Sequence, residues 1–367
     1  MKRHTYIDFI ESIAIFMVIF CHGVVAGESV AANIALQLTT TIAVPLFFLA
    51  NGALLFNSPT YSLEKHLKKT GVIALTIVTW RLLYLILGLI FHRLGFSVFS
   101  FTQIAQYLLG KNIDSPFHVY SEHLWFLYEL LAIYIMFPLL KCAWDKDQRV
   151  IKLLSVWCFV FVYLYSDTVW FLEKYSYKDI VSVLQLVKGI LFPFGRGASY
   201  LLFFLLGGLI HNRYLNGKTT YSRRWYYFAA SVLSFLGLLI LKYIQEGSLY
   251  GKWVRLDNDY TRVFTLIMAV SFYIFSTSIH IDSEKVQNAI AFISSRTMNI
   301  YLIHFLFTSL FSKIVTALSI KENLAMHFIR TLAILILSII VTEPLTYIPG
   351  INMIMTNGNK RRIKGNG

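Results

Sequence analysis

His22 is the residue of this chain whose type and position most directly suggest chemistry. It follows a long apolar run in the segment YIDFIESIAIFMVIFCHGVV. An ionisable group there is costly in lipid unless it faces a protein interior or a water-filled cavity. A neutral imidazole can take a proton from a hydroxyl group, so His22 is a candidate general base. The alternative is a histidine that packs between helices and hydrogen-bonds to a neighbour.

Asp8 and Glu11 precede His22 with a spacing that predicts one shared helix face. Eleven residues at 100° each bring Glu11 to within about 20° of His22 around a continuous helix. The helical rise separates the two by roughly 16 Å, so they cannot touch but could line one cleft. The alternative is that the acids are helix N-terminal charges close to water, favoured by the helix dipole. We prefer this alternative for Asp8, and for Glu11 both interpretations stay open. A buried Glu11 would be expected to pair with a cation such as Arg81 or a loop lysine.

Other polar residues lie within or beside apolar segments. The functional interpretation of each is ligand binding. The alternative is an ordinary structural role: helix packing, anchoring at the membrane interface or snorkelling to it. Arg81 and Arg330 lie within apolar segments and must pair or snorkel, and Arg196 borders such a segment. The remaining candidates are Asn51 in VPLFFLANGALLF, His123, Trp125 and Glu129 in SEHLWFLYELLAIYIMFPLL, and His304 in NIYLIHFLF. Glu129 lies deeper than His123 and Trp125 and needs a partner, and His304 is expected well inside its segment.

The elements that position these residues must be membrane helices. Hydrophobic residues make up 57% of the 367-residue chain and charged residues only 14%, against about 25% charged in soluble domains. The fold class predicted is an all-α, polytopic bundle in one domain, residues 1–350, with a basic cytoplasmic tail, 351–367. Apolar blocks of spanning length predict about ten transmembrane helices: 6–26, 34–56, 70–92, 124–144, 149–172, 197–212, 225–245, 262–281, 297–318 and 324–347.

The net charge of +14 is mainly an orientation signal. Lys and Arg collect in every second loop, which predicts that both termini are cytoplasmic and gives no support for nucleic-acid binding. The first apolar segment is too long for a cleavable signal peptide and lacks a cleavage site. The three cysteines form no CxxC pair, and no metal-binding, phosphate-loop or serine-hydrolase motif is present, so we expect no bound metal.

Four segments together resemble the acyltransferase family 3, which consists of integral membrane acyltransferases with about ten spans. They are YIDFIESIAIFMVIFCHG, VPLFFLANGALLF, HLWFLYELLAIYIMFPLL and NIYLIHFLF. Three features depart from the family pattern. Glu11 replaces the usual Arg or Lys, Asn51 replaces a serine before glycine, and Lys65 and Lys68 stand where the family has arginines. Lysines can still neutralise phosphates as point charges.

The resemblance implies an enzyme of the bacterial plasma membrane, an O-acyltransferase with no bound cofactor. It would move an acetyl group from cytoplasmic acetyl-CoA to a hydroxyl of a cell-surface polysaccharide or its lipid-linked precursor. The partners expected are the lipid bilayer, acyl-CoA, the glycan and other glycan-assembly membrane proteins. The alternative is a non-catalytic exporter or flippase of a surface glycan. The implied roles are catalytic for His22, Asn51 and Glu11, donor-binding for Lys65, Lys68, Lys69 and Arg81, and acceptor-binding for His123, Trp125, Glu129, Arg196 and His304.

Overall fold

The structure is a computed structural model of the full chain. It describes residues 4–22, 30–92, 100–111, 121–191, 197–218, 221–246, 259–320 and 323–355, and within these ranges there are helices and turns but no strand. The helices up to the middle of the chain are α1 (Thr5–Phe20), α2 (Val30–Thr40), α3 (Ala43–Phe56), α4 (Leu63–His92), α5 (Phe101–Leu108), α6 (Trp125–Lys146), α7 (Gln148–Cys158) and α8 (Tyr165–Lys174). A π-helical segment, Phe159–Leu164, joins the last two.

The remaining helices are α9 (Lys178–Leu191), α10 (Gly197–Leu215), α11 (Arg224–Glu246), α12 (Val263–Ser276), α13 (Glu284–Ser294), α14 (Thr297–Ala317), α15 (Leu324–Leu345) and α16 (Ile351–Met355). They cluster into two compact units. The first unit is formed by Met1–Thr60 and Phe137–Ser294, and the second by Tyr61–Met136 and Ser295–Gly367. Each unit is therefore assembled from segments distant in the sequence.

In the part of the chain that the structure describes, seven of the ten predicted membrane spans are confirmed as helices long and apolar enough to cross a bilayer. These are Ala32–Phe56, Leu63–Ile90, Glu122–Lys146, Gln148–Lys174, Arg224–Ile244, Thr297–Ala317 and Leu324–Leu345. The other three predicted segments contain α1, α10 and α12. α1 has 16 residues and α12 has 14, which corresponds to roughly 21–24 Å of helix against a hydrocarbon thickness of about 30 Å. The count of ten spans and the cytoplasmic position of the termini stay predictions.

Close packing of α3 on α10 organises the first unit. A Cβ added at Gly52 would lie 1.8 Å from the carbonyl oxygen of Phe204, and one added at Gly207 would lie 2.0 Å from that of Leu49. Each helix therefore presents a glycine to the backbone of the other, as membrane helices do where they approach closely. The side chain of Asn57 reinforces the crossing by donating to the carbonyl of Gly208 at 3.1 Å.

The second unit is held by contacts of α4 with α5 and α14. The Tyr84 hydroxyl of α4 donates to the carbonyl of Leu302 at 2.6 Å. Tyr107 of α5 is fully buried against Leu85 and Leu89. Ile104 and Leu108 of α5 also pack against this cluster, so the helix lies on the second half of α4. A capping box of Ser100 and Gln103 begins this helix.

Candidate functional site

His22 lies just beyond the end of α1 rather than within it. The helix ends at Phe20, and the backbone N–H of His22 bonds to the carbonyl of Ile19 at 3.3 Å in a turn. The regular helix on which the shared face with Glu11 was predicted therefore ends two residues before His22, and the shared face stays a prediction. The His22 side chain is partly buried, and its role as a base stays a prediction.

Asp8 and Glu11 do share a face of α1, and Ser294 at the end of α13 joins them. The Ser294 hydroxyl lies 2.7 Å from Oδ1 of Asp8 and 2.6 Å from Oε2 of Glu11. Asp8 lies in the first turn of α1, as its preferred interpretation predicted, but it is only 6% exposed, so the expectation that it lies close to water is wrong. Because one hydroxyl carries one proton, it can donate fully to only one of the two carboxylates. The proposed pairing of Glu11 with Arg81 or a loop lysine stays a prediction.

Asn51 is partly buried on α3, one residue before the glycine that meets α10. Its side-chain amide donates to the carbonyl of Phe47, one turn earlier, at 2.9 Å. A role as an oxyanion donor would use the same amide nitrogen, which carries two protons. The helix carbonyl thus takes one of the two hydrogen bonds that Asn51 could offer.

Two predicted acceptor residues, His123 and His304, meet in the second unit. Their rings are 5.1 Å apart between centroids in an edge-to-face arrangement, with His123 3% exposed and His304 completely buried. His304 lies seven residues into α14, roughly 10 Å from the start of the helix. This placement confirms the prediction that His304 is well inside its span.

Aromatic residues of the second unit fix the two histidines. Tyr301 donates through its hydroxyl to the carbonyl of His123, and its own carbonyl lies 2.7 Å from Nδ1 of His304. The ring of Tyr84 stands edge-on to His123 at 5.4 Å, and the ring of Phe305 stacks on His123 at 5.0 Å. If Nδ1 of His304 donates to the carbonyl, the neutral ring presents Nε2 as an acceptor, so this cluster has the groups needed to bind a hydroxyl.

The other predicted acceptor residues are not part of the His123–His304 cluster described above. Trp125 and Glu129 are partly buried on the first turns of α6. Within the described ranges, no hydrogen bond or ion pair of the Glu129 side chain is present, so the partner that the sequence suggested for it is not found there. Arg196 lies outside the described residues.

The predicted donor-binding lysines occupy the first two turns of α4. Lys65 and Lys68 are exposed, and Lys68 pairs with Glu64 at 2.8 Å. Lys69 lies 5.4 Å from the centre of the Tyr134 ring. Between them is His66, which sequence analysis missed: it is buried, and its Nε2 lies 2.8 Å from the carbonyl of Tyr134. The position of His66 among lysines hid it, because polar neighbours predict exposure.

Arg81 does not belong to the lysine cluster, although the two were predicted to bind one donor. It follows Lys65 by sixteen residues and Lys69 by twelve on the same helix, which places it roughly 18–24 Å further along. Its guanidinium lies over the ring of Tyr107 at 4.0 Å, and only 2% of the residue is exposed. Arg330, the other span arginine, donates to Nδ1 of His327 at 2.7 Å.

Sequence analysis also missed two polar clusters of the first unit. Tyr6 and His211 are hydrogen-bonded through the hydroxyl and Nδ1, with the Tyr273 hydroxyl 3.5 Å away. Arg262 pairs with Asp167 at 3.1 Å. The apolar run LLFFLLGGLI before His211 was a usable signal. Tyr6 lies among polar residues in KRHTYIDFIE, and nothing in the sequence joins Asp167 to a residue 95 positions later.

No group of three or more His, Cys, Asp or Glu side chains in the described ranges could hold a metal ion. The family model described as an acyltransferase domain matches residues 4–346, nearly the whole chain. No curated protein and no solved structure matches this chain. The matched range includes all residues for which a catalytic, donor-binding or acceptor-binding role was predicted.

Proposed function

The chain belongs to the acyltransferase family 3, and on that premise we propose that it transfers an acetyl group from cytoplasmic acetyl-CoA to a glycan hydroxyl. The acceptor proposed is a cell-surface polysaccharide or its lipid-linked precursor, and the membrane is the bacterial plasma membrane. The observation that carries the proposal is the extent of the family match. It runs through residues 4–346, and the membrane-length helices lie within this range.

His22 is proposed as the base of the reaction. A sugar hydroxyl is a weak nucleophile at neutral pH, so its proton must leave as its oxygen attacks the thioester carbon. The imidazole takes that proton, and a tetrahedral oxyanion forms at the former carbonyl. Collapse of this intermediate forms the ester, breaks the carbon–sulfur bond and returns the proton to the departing thiolate. The partly buried side chain of His22 is compatible with access for both substrates.

Lys65, Lys68 and Lys69 are proposed to contact the phosphate groups of the donor. Lys65 and Lys68 are exposed, so an anion can approach them without prior desolvation. The ion pair of Lys68 with Glu64 is also exposed, and such pairs contribute only about 0–1 kcal/mol. Its replacement by a phosphate contact therefore costs little.

The acceptor is proposed to contact His123 and His304 in the second unit. Their cluster combines imidazole nitrogens with the rings of Tyr84 and Phe305. Ring faces and polar nitrogens together suit a sugar, which has apolar C–H faces and hydroxyl groups. The second candidate function, glycan export without catalysis, requires the same contacts but no base.

The test compares cells that carry wild-type protein, His22→Gln or the control His280→Gln, each at matched membrane abundance. His280 is a suitable control because its side chain is 92% exposed. Mass spectrometry of the surface glycans should show acetylation lost in His22→Gln and unchanged in the control. Wild-type acetylation in His22→Gln would refute the role of this base. The exporter would be favoured by a different result in cells that lack the protein. There, surface glycan would be lost while the glycan that remains inside the cell keeps its normal acetylation.

A further inference from the structure

Arg81 has an unusual combination of burial and hydrogen bonding. It is 2% exposed and lies on a helix long and apolar enough to span a bilayer. Its Nε and Nη2 atoms are both buried, and in the part of the chain that the structure describes neither has a hydrogen-bond acceptor. These two atoms form one edge of the planar guanidinium, the edge that binds a carboxylate or phosphate with two parallel hydrogen bonds.

The surroundings of Arg81 compensate its charge only in part. The guanidinium lies 4.0 Å from the centre of the Tyr107 ring and 5.7 Å from that of Tyr128. Burial raises the pKa of the Tyr107 hydroxyl, so this side chain is neutral and is not a counter-ion. Cation–π contacts are weaker than the cost of desolvating a guanidinium, which amounts to several kcal/mol for each buried ion.

Tyr107 and Tyr128 also hold Arg81 in a fixed orientation. The Tyr107 hydroxyl donates to the hydroxyl of Ser121 at 2.8 Å, and the Tyr128 hydroxyl donates to the carbonyl of Leu108 at 2.7 Å. Since both rings are anchored through their own hydroxyl groups, they form a rigid aromatic platform. The Nε–Nη2 edge is thus preorganised for a partner that the described chain does not supply.

We propose that the Nε–Nη2 edge of Arg81 binds an oxyanion, a carboxylate or a phosphate, on a ligand that enters the second unit. The aromatic platform of Tyr107 and Tyr128 would contact the rest of that ligand. Two sources supply the same chemistry: the carboxylate of an acidic sugar and the phosphate of an anionic or sugar-linked lipid. This site is distinct from the lysines at the start of α4, which lie roughly 18–24 Å away along the helix.

The test uses full-length protein purified in detergent, as wild type, Arg81→Lys and Arg81→Met. The probes are oligogalacturonate with a neutral oligogalactose control, and phosphatidylglycerol vesicles with a phosphatidylcholine control. Arg224 provides the matched control variant, Arg224→Met, because its guanidinium also lies near an aromatic ring, that of Trp225 at 5.5 Å, but is exposed.

Wild type and Arg224→Met should bind at least one anionic probe more tightly than its neutral control. Arg81→Lys, which keeps the charge but loses the two-point edge, should bind that probe about tenfold more weakly, and Arg81→Met should show no preference for it. Preference for oligogalacturonate assigns a sugar carboxylate, and preference for phosphatidylglycerol assigns a lipid phosphate.

A second readout separates ligand binding from a structural role. Without probe, Arg81→Met should melt at the same or a higher temperature than wild type, because an uncompensated buried charge is removed. No anion preference in wild type, or equal preference in Arg81→Lys, would overturn the proposal. The proposal would also be overturned if probe-free Arg81→Met melted at a lower temperature than wild type while Arg81→Lys bound the probe as tightly as wild type. Because binding is measured directly, the outcome does not depend on whether the chain transfers acetyl groups.

Discussion

The crossing of α3 and α10 gives a sharp prediction for stability: Gly52→Ala should strongly destabilise the first unit. The new Cβ would lie 1.8 Å from the carbonyl oxygen of Phe204, whereas carbon and oxygen atoms in close contact are about 3.3–3.6 Å apart. The obstacle is backbone, so a side-chain rotation cannot relieve it. The helices must separate locally by roughly 1.5 Å.

The cost has two components. Forcing an additional methyl group into a packed contact costs about 1–3 kcal/mol. Separation of the helices also stretches the hydrogen bond from Asn57 to the carbonyl of Gly208, and such a bond contributes about 0.5–1.5 kcal/mol. A total of about 1.5–4.5 kcal/mol corresponds to a decrease in Tm of about 3–18 °C for a unit of this size.

The assay is thermal unfolding of purified protein in detergent, followed by tryptophan fluorescence and helical circular dichroism. Gly207→Ala should act like Gly52→Ala, because its Cβ meets the carbonyl oxygen of Leu49 at 2.0 Å. The double variant should lose less than the sum, since helices already separated accommodate the second methyl group. Gly71→Ala is the control, because a Cβ there meets nothing within 4 Å. A wild-type Tm for Gly52→Ala would refute the packing argument.

Three further predictions concern polar groups. Ser294→Ala removes the hydroxyl that joins both carboxylates of α1. It should lower the free energy of unfolding by about 1.5–3 kcal/mol, the range for hydrogen bonds to charged groups. An unchanged Tm in detergent would contradict this prediction. The triple variant Lys65→Gln, Lys68→Gln, Lys69→Gln should raise the apparent KM for acetyl-CoA by roughly tenfold, more at low salt because exposed charges are screened; a KM independent of these lysines would exclude their role. The backbone N–H and side chain of Arg149 lower the pKa of the exposed Asp147, so its stabilising effect is present above the ordinary pKa and is lost as the pH falls through the lowered value. Melting curves of wild type and Asp147→Asn should therefore differ above about pH 5 and converge in strong acid, and a difference that persists there would contradict the assignment.

Helix existence and burial were predictable from the sequence because both follow from local composition. Seven apolar segments became membrane-length helices, and His304, predicted to lie deep, is completely buried. The spacing of Asp8 and Glu11 also predicted their shared face, since three residues make almost one helical turn. These inferences needed only the helical period and the cost of polar groups in lipid.

Helix ends and long-range partners were not predictable in the same way. Hydropathy continues past Phe20, so it could not show that α1 ends before His22. His123 and His304 are brought together by tertiary packing, as are Ser294 and the acids of α1, and periodicity within one helix contains no information on either. The docking of α5 on α4 depends likewise on contacts between separate helices.

Two equally buried arginines show how hydrogen-bond partners separate structure from ligand binding. Arg262 and Arg81 are each 2% exposed, and each lies near an aromatic ring, Trp170 and Tyr107 respectively. Arg262, however, pairs with Asp167, whose second oxygen accepts the first backbone N–H of α12 at 3.0 Å. Removing one member of such a pair leaves the other uncompensated and costs about 3–5 kcal/mol, so Arg262→Met should lower the Tm while Arg81→Met should not. Arg262 and Arg81 have the same burial and similar ring contacts. An opposite direction of the two Tm changes would therefore show the effect of the Asp167 carboxylate. If Arg81→Met were as damaging as Arg262→Met, the aromatic platform alone would suffice to make Arg81 structural.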